Sequence, residues 1–247
     1  TTDTDSAASG NLISGPDIGL QWAGTNAMVK ENAVSDCGTG YSFHSTTGTI
    51  ENCLAKNCPA GISLQSSTMQ LTQCQVIETP AKGAPLALQA SSVTLLNCNL
   101  SDDQILLKGG APKGASAWVE NLVYLVVRVK GKVPPGAEVL VETSAVSGGV
   151  PDGKADLNVR NSPAPLNDTG WTPLPGTRRA LVLRSWQMGL NGKRVNAPFY
   201  DLKVLAPAAG TAKRKVLYNQ RIEPSDSWNW GGQDQPIDGL GTTAETL

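Results

Sequence analysis

Residues 11–14 (NLIS), 32–35 (NAVS), 53–56 (CLAK), 74–77 (CQVI) and 98–101 (CNLS) are five versions of one short phrase. Asn11, Asn32, Cys53 and Cys74 open the first four at intervals of 21 residues, and Cys98 follows after 24. Set beneath one another, the segments that follow give an apolar column at almost every second position. Leu20, Tyr41, Ile62 and Leu86 form one column, and Trp22, Phe43, Leu64 and Leu88 the next. A second group holds Val29, Ile50, Leu71 and Leu95, flanked by Ala27, Gly48, Met69 and Val93, and a third holds Ile13, Val34, Ala55, Val76 and Leu100. Between them stand Ser, Thr, Gln, Lys and Glu, the period-two pattern of a strand with one buried face. The period therefore predicts about five stacked coils, each of three short strands around a common core.

Gly19, Gly40 and Gly61 recur just before the first strand column, where a tight bend needs a residue without the constraint of a Cβ. The three residues inserted in the fourth coil, Ala81 to Gly83, are expected to bulge as a short loop. A leucine-rich repeat is the rival reading, since Met69 to Val76 matches LxLxxCxL. Two features oppose it. Ser66 stands where that repeat has a leucine, and GISLQ and GYSFH read as a second strand where it has a helix. From about Asn11 to Leu107 the pattern resembles the right-handed parallel β-helix repeat of pectate-lyase-like proteins, phage tailspikes and many bacterial surface proteins. The resemblance implies fold and leaves activity open.

After the coils, GGAPKGAS marks a linker at residues 109–117, so residues 1–108 form the β-helix domain. From Trp118 the period disappears. Strand-like runs follow at Leu122 to Lys130, Glu138 to Thr143, Ala155 to Arg160, Arg179 to Gln187, Phe199 to Leu205 and Lys215 to Ile222. Turn-forming clusters separate them, which predicts an antiparallel β-sandwich over 118–223 and a Trp/Gly-rich tail over 224–247. The whole is expected to be all-β. The longest apolar run near the middle, Leu122 to Val127, is far too short for a membrane helix.

Five cysteines lie between Cys37 and Cys98, at equivalent places in the coils. Stacked coils bring them close but parallel, and a disulfide needs converging Cβ vectors, so buried free thiols are expected. Residues 1–100 carry 3 basic against 7 acidic side chains and residues 101–247 carry 17 against 14. Neither imbalance is dense enough to hold nucleic acid.

Enzymes on β-helices present carboxylates, calcium, Lys or Arg on an outward face. Here the outward columns are Gln21, Ser42, Ser63, Ala87; then Met28, Thr49, Gln70, Thr94; then Lys30, Glu51, Thr72, Leu96. None offers two carboxylates, so neither paired acids for glycoside hydrolysis nor a calcium cage is visible. Asp102 and Asp103 are adjacent acids at the end of the repeat, where a solvated turn accounts for them. His44 should point outward, without a second ligand at metal spacing. No catalytic residue, metal or cofactor is predicted.

Glycan-binding candidates lie in the second half. Trp228 and Trp230 would face the same way in an extended segment and offer a surface for a sugar ring, unless they close the sandwich core. Arg178, Arg179, Lys213 and Lys215, with Arg184, Lys193, Arg194 and Arg214, make this half locally basic. Trp171 and Trp186 are read as core residues. An open solenoid exposes an apolar cross-section and unpaired strand edges, so capping or contact at its ends is required.

These features predict a non-catalytic structural or adhesive protein, extracellular or on the cell surface, with a leader peptide already removed. Its expected partners are further copies of itself, other surface proteins or a polysaccharide. A polysaccharide-binding module, or a fragment of a polysaccharide lyase or glycoside hydrolase, is the alternative. A tailspike-like segment is the third reading.

Overall fold

The computed structural model describes residues 6–24, 26–108, 118–129, 134–143, 164–167, 170–173, 181–189, 192–196, 200–207 and 214–222. Among these there is no α-helix. The first coil contains β1 (Ser6–Ser9), β2 (Leu12–Ser14) and β3 (Ile18–Ala23). The second contains β4 (Asn26–Lys30), β5 (Ala33–Ser35) and β6 (Thr39–His44), and the third β7 (Thr47–Glu51), β8 (Leu54–Lys56) and β9 (Ala60–Gln65). The fourth contains β10 (Thr68–Thr72), β11 (Gln75–Ile77) and β12 (Ala84–Gln89), and the fifth β13 (Ser92–Leu96), a 3₁₀ turn at Asp102–Gln104 and β14 (Ile105–Lys108). Like pairs with like in parallel, giving three sheets that run along the solenoid.

The register is that of the sequence columns. Leu20, Tyr41, Ile62 and Leu86 are cross-strand partners in turn, as are Val29, Ile50, Leu71 and Leu95. Tyr41, Phe43, Ile62, Leu64, Leu86 and Leu88 are buried, and Trp22 stacks on Phe43 with ring centroids 5.3 Å apart. A one-residue slip would turn every one of these side chains to solvent, so the hydrophobic pattern locks the register. In the outward columns Ala87 and Leu96 are buried, whereas Met28 and Leu106 are exposed.

Each of the first four coils turns three corners, and these are built alike. A left-handed residue makes the bend: Gly10, Glu31, Asn52, Gln73 and Asn97 at the first corner, Gly15, Asp36, Asn57 and Glu78 at the second, Gly24, Ser45, Ser66 and Ala90 at the third. The next residue points inward and is small and polar at most corners. It is Asn11, Asn32, Cys53, Cys74 or Cys98 at the first, Cys37, Cys58 or Thr79 at the second, and Thr46, Ser67 or Ser91 at the third. These side chains form ladders. Ser67 Oγ accepts from the Thr46 N–H at 3.1 Å and donates to the Gln65 carbonyl at 2.8 Å, while Ser91 Oγ accepts from the Ser67 N–H. Asn32 Oδ1 accepts from both the backbone and the side-chain amide of Asn11. The cysteines continue that first ladder, with the Cys53 thiol facing the carbonyls of Glu51 and Val29. Corner backbone groups also pair between coils, as in Asn52 N–H to the Thr72 carbonyl at 3.0 Å.

The glycine column has a steric cause. Gly19, Gly40 and Gly61 do not lie in the left-handed region. A Cβ on Gly61 would sit 2.4 Å from Val76 Cγ1 and 2.6 Å from the Pro85 carbonyl oxygen, and one on Gly40 would sit 2.6 Å from the Gly61 oxygen. The bend brings strand and neighbouring coil too close for any side chain. The inserted residues of the fourth coil form a short exposed turn closed by Gly83 N–H to the Pro80 carbonyl.

The ladder does not end at Lys108, the boundary expected from the period. β15 (Trp118–Leu125) pairs in parallel with β13 over Ser92–Leu96 and Trp118–Leu122, and so adds a further strand to the first sheet. The remaining strands are β16 (Glu138–Thr143), β17 (Ala164–Pro165), β18 (Leu181–Gly189), β19 (Arg194–Asn196), β20 (Tyr200–Leu205) and β21 (Val216–Ile222). The chain divides into one unit of residues 1–122 and 186–195 and a second of residues 123–185 and 196–247. In the second unit, β17, β16, β20 and β21 form an antiparallel sheet in that order. Its core gathers Val139, Val141, Leu202 and Val204 of this sheet with Val123, Leu125, Leu181 and Leu183. The buried Tyr200 directs its hydroxyl to the backbone of Arg184. The expected linker at 109–117, the strand at Ala155 to Arg160 and the tail at 224–247 lie outside the described residues.

Gly48 is the tightest position of the solenoid, with φ +146° and only 1.9 Å between a built Cβ and the Ala27 carbonyl oxygen. Gly48→Ala is therefore expected to lower stability by about 3 kcal/mol or more in urea unfolding. Gly24→Ala, at a corner with open space around it, should cost only about 1–2 kcal/mol, the left-handed penalty alone.

Candidate functional site

The strands of the first sheet put Asn26, Thr47, Thr68 and Ser92 in one outward column and Met28, Thr49, Gln70 and Thr94 in the next. Charges on the outward rows are paired or isolated. Lys30 Nζ lies 2.8 Å from Glu51, and Lys56 Nζ lies 3.3 Å from Glu78. At the second corner, Asp36 accepts from Asn57 Nδ2 at 2.8 Å and Ser14 Oγ at 3.2 Å. Hydrogen bonds from Asn57 foremost, then Ser35 and Ser14, hold its carboxyl below the usual range. A carboxylate so satisfied is a poor general acid. His44 ends β6, exposed, with Ala23 and Gln65 as its cross-strand neighbours.

Asp102 and Asp103 do not converge. Asp102 pairs with Arg194 Nη1 at 3.3 Å, whereas Asp103 accepts a short hydrogen bond from Ser101 Oγ. The same Arg194 guanidinium lies over the Trp186 ring, 5.4 Å from its centroid. Trp186 and Met188 are buried in the solenoid core cluster with Val119. Trp186 is thus a core residue of the solenoid unit, delivered from 67 residues beyond β15's Val119 in sequence. Trp171, read from sequence as core, is only half-buried and carries Arg128 over its ring at 5.1 Å. The alternation of Trp118–Leu125, broken by Asn121, was the sequence signal that this strand faces a core.

The basic character of the second half is largely neutralised where it is described. Arg214 pairs with Glu138 by a short contact, Lys203 with Glu142 at 2.5 Å, and Arg221 approaches Asp201 at 4.0 Å. These cross-strand pairs on β16, β20 and β21 make a mixed-charge face. Lys215 is exposed just before β21, and its carbonyl accepts the Ala206 N–H. Arg178, Arg179, Lys213, Trp228 and Trp230 lie outside the described residues.

The five thiols are free and buried. Burial pushes the Cys37, Cys53 and Cys74 thiols up. A thiol that is both buried and hard to ionise is a weak nucleophile. Among the described residues no group of three His, Cys, Asp or Glu side chains could hold a metal ion. None of the described helices is long and apolar enough to cross a membrane.

A family profile described as the right handed beta helix region matches residues 2–100. Those residues are a right-handed parallel β-helix, the class to which both period and structure point, and they make up less than half of the chain. No curated protein and no solved structure matches the sequence.

The thiols give a signed pH dependence. The raised folded values of Cys37, Cys53 and Cys74 mean that their contribution is fully present below the ordinary thiol pKa of about 8.5 and is lost as pH rises through the folded values. Urea unfolding should therefore show falling stability above that pH, and Cys74→Ser should make the fall shallower. Serine already serves as the corner rung at Ser67 and Ser91, so this substitution should cost no more than about 1–2 kcal/mol near neutral pH. A colorimetric disulfide reagent should find five thiols in denaturant and almost none in native protein.

Proposed function

We infer that this is a non-catalytic structural protein, working outside the cell or on its surface, in which the β-helix is the stiff element. The observation that carries this reading is the outward face of the coils. Glu51 and Glu78 are matched to Lys30 and Lys56, and Asp36 to hydrogen-bond donors, and no group of three acids, His or Cys gathers among the described residues. Thr, Ser, Asn and Gln fill the rest, a hydrated and chemically quiet surface.

Association with other copies or with surface proteins fits this role, and a bound polysaccharide is the alternative. One set of measurements separates them. Turnover assays on neutral and acidic polysaccharides should show none, and light scattering over a wide concentration range should show mass rising with concentration. Cleavage of any polysaccharide would overturn the reading. Specific binding on a glycan array that is lost in Trp228→Ala, with a mass fixed at the monomer, would replace it by the carbohydrate-binding one.

A further inference from the structure

The inner column of the first sheet runs Ala8, Val29, Ile50, Leu71, Leu95 and then Asn121. Five aliphatic rungs end on an amide. Asn121 has no exposure at all, and neither its Oδ1 nor its Nδ2 has a hydrogen-bond partner in the protein. The same is true of the indole Nε1 of Trp186, whose ring is equally buried in the solenoid core. Trp186 lies on β18, the strand next to β15 in this sheet, and both residues belong to the solenoid unit. Arg194 covers the ring face of Trp186 and is itself held by Asp102, so it leaves the indole N–H unmet.

Leaving such groups dry is expensive, about 1–3 kcal/mol for each donor or acceptor. A leucine at 121 would continue the column at no such cost. The unmet atoms are complementary: Trp186 offers one donor, and Asn121 offers two donors and an acceptor. A ligand that both accepts from an indole N–H and donates to an amide oxygen, and that reaches a closed core, is water.

We propose that the last rung of the solenoid is a buried hydration site, where about one or two waters link the side chains of Asn121 and Trp186. This wet rung ends the ladder. Another aliphatic coil stacked there would strip the water from Asn121, so Asn121 selects the Trp186 closure over further growth of the core.

The test is a water-contact measurement by NMR on the ¹⁵N-labelled full chain, with resonances assigned by triple resonance. The indole Nε1–H of Trp186 and the Nδ2 protons of Asn121 should show long-lived cross-peaks to water, and the buried backbone amides of Leu71 and Leu95 should not. In Asn121→Leu the indole cross-peak should disappear while the β-sheet circular dichroism remains. Absence of water contacts at both wild-type side chains would overturn the proposal, as would an indole cross-peak that persists in Asn121→Leu. Should that variant fail to fold, the Asn121 Nδ2 cross-peaks in the wild-type protein decide the question.

Discussion

The structure depends on parallel pairing of each coil with the next, residue for residue, around three corners. A parallel strand has unpaired backbone groups along both edges, and only another coil in register satisfies them. The corners make that register possible. A left-handed residue turns the chain within one position, and the polar residue after it ties its own coil to the next through Asn, Ser or Cys side chains. The buried polar side chains at the bends, such as Asn32, Thr46 and Ser67, are tied into these ladders, so the strand column from Ala8 to Leu95 can remain apolar until Asn121.

This arrangement also explains the cysteines. They are rungs of the ladder begun by Asn11 and Asn32 and paralleled by Thr46, Ser67 and Ser91 at another corner. A thiol is less polar than an amide, and the sulfurs of Cys53, Cys74 and Cys98 face the carbonyls of Val29, Ile50 and Leu71. The same ladder makes the thiols chemically quiet.

The closure of the solenoid is the part that only distant sequence supplies. Trp186 and Met188 fill the last rung with Val119, and Arg194 clamps Trp186 through Asp102. Asp102, read from sequence as a solvated turn, thus takes part in an ion pair with a residue 92 positions away. Trp171, by contrast, is held at half exposure under Arg128, because a cation over an indole face needs access from one side.

The sequence by itself determined the strands, their register and the buried columns of the first five coils, because a 21-residue period with period-two alternation admits one stacking. It also marked five of the seven later described strands, β15, β16, β18, β20 and β21, since turn clusters separate them locally, and missed the short Ala164–Pro165 and Arg194–Asn196. It gave the right glycines at 19, 40 and 61 and assigned them to tight bends, whereas the structure shows that the decisive factor is contact with Val76, Pro85 and neighbouring coils. Only the tertiary structure decided that β15 continues the ladder, that Trp186 closes it and that basic residues of the second half meet acids across strands. Each of these is a pairing between residues far apart in the chain without a shared period, and no local pattern encodes which partner a side chain will meet.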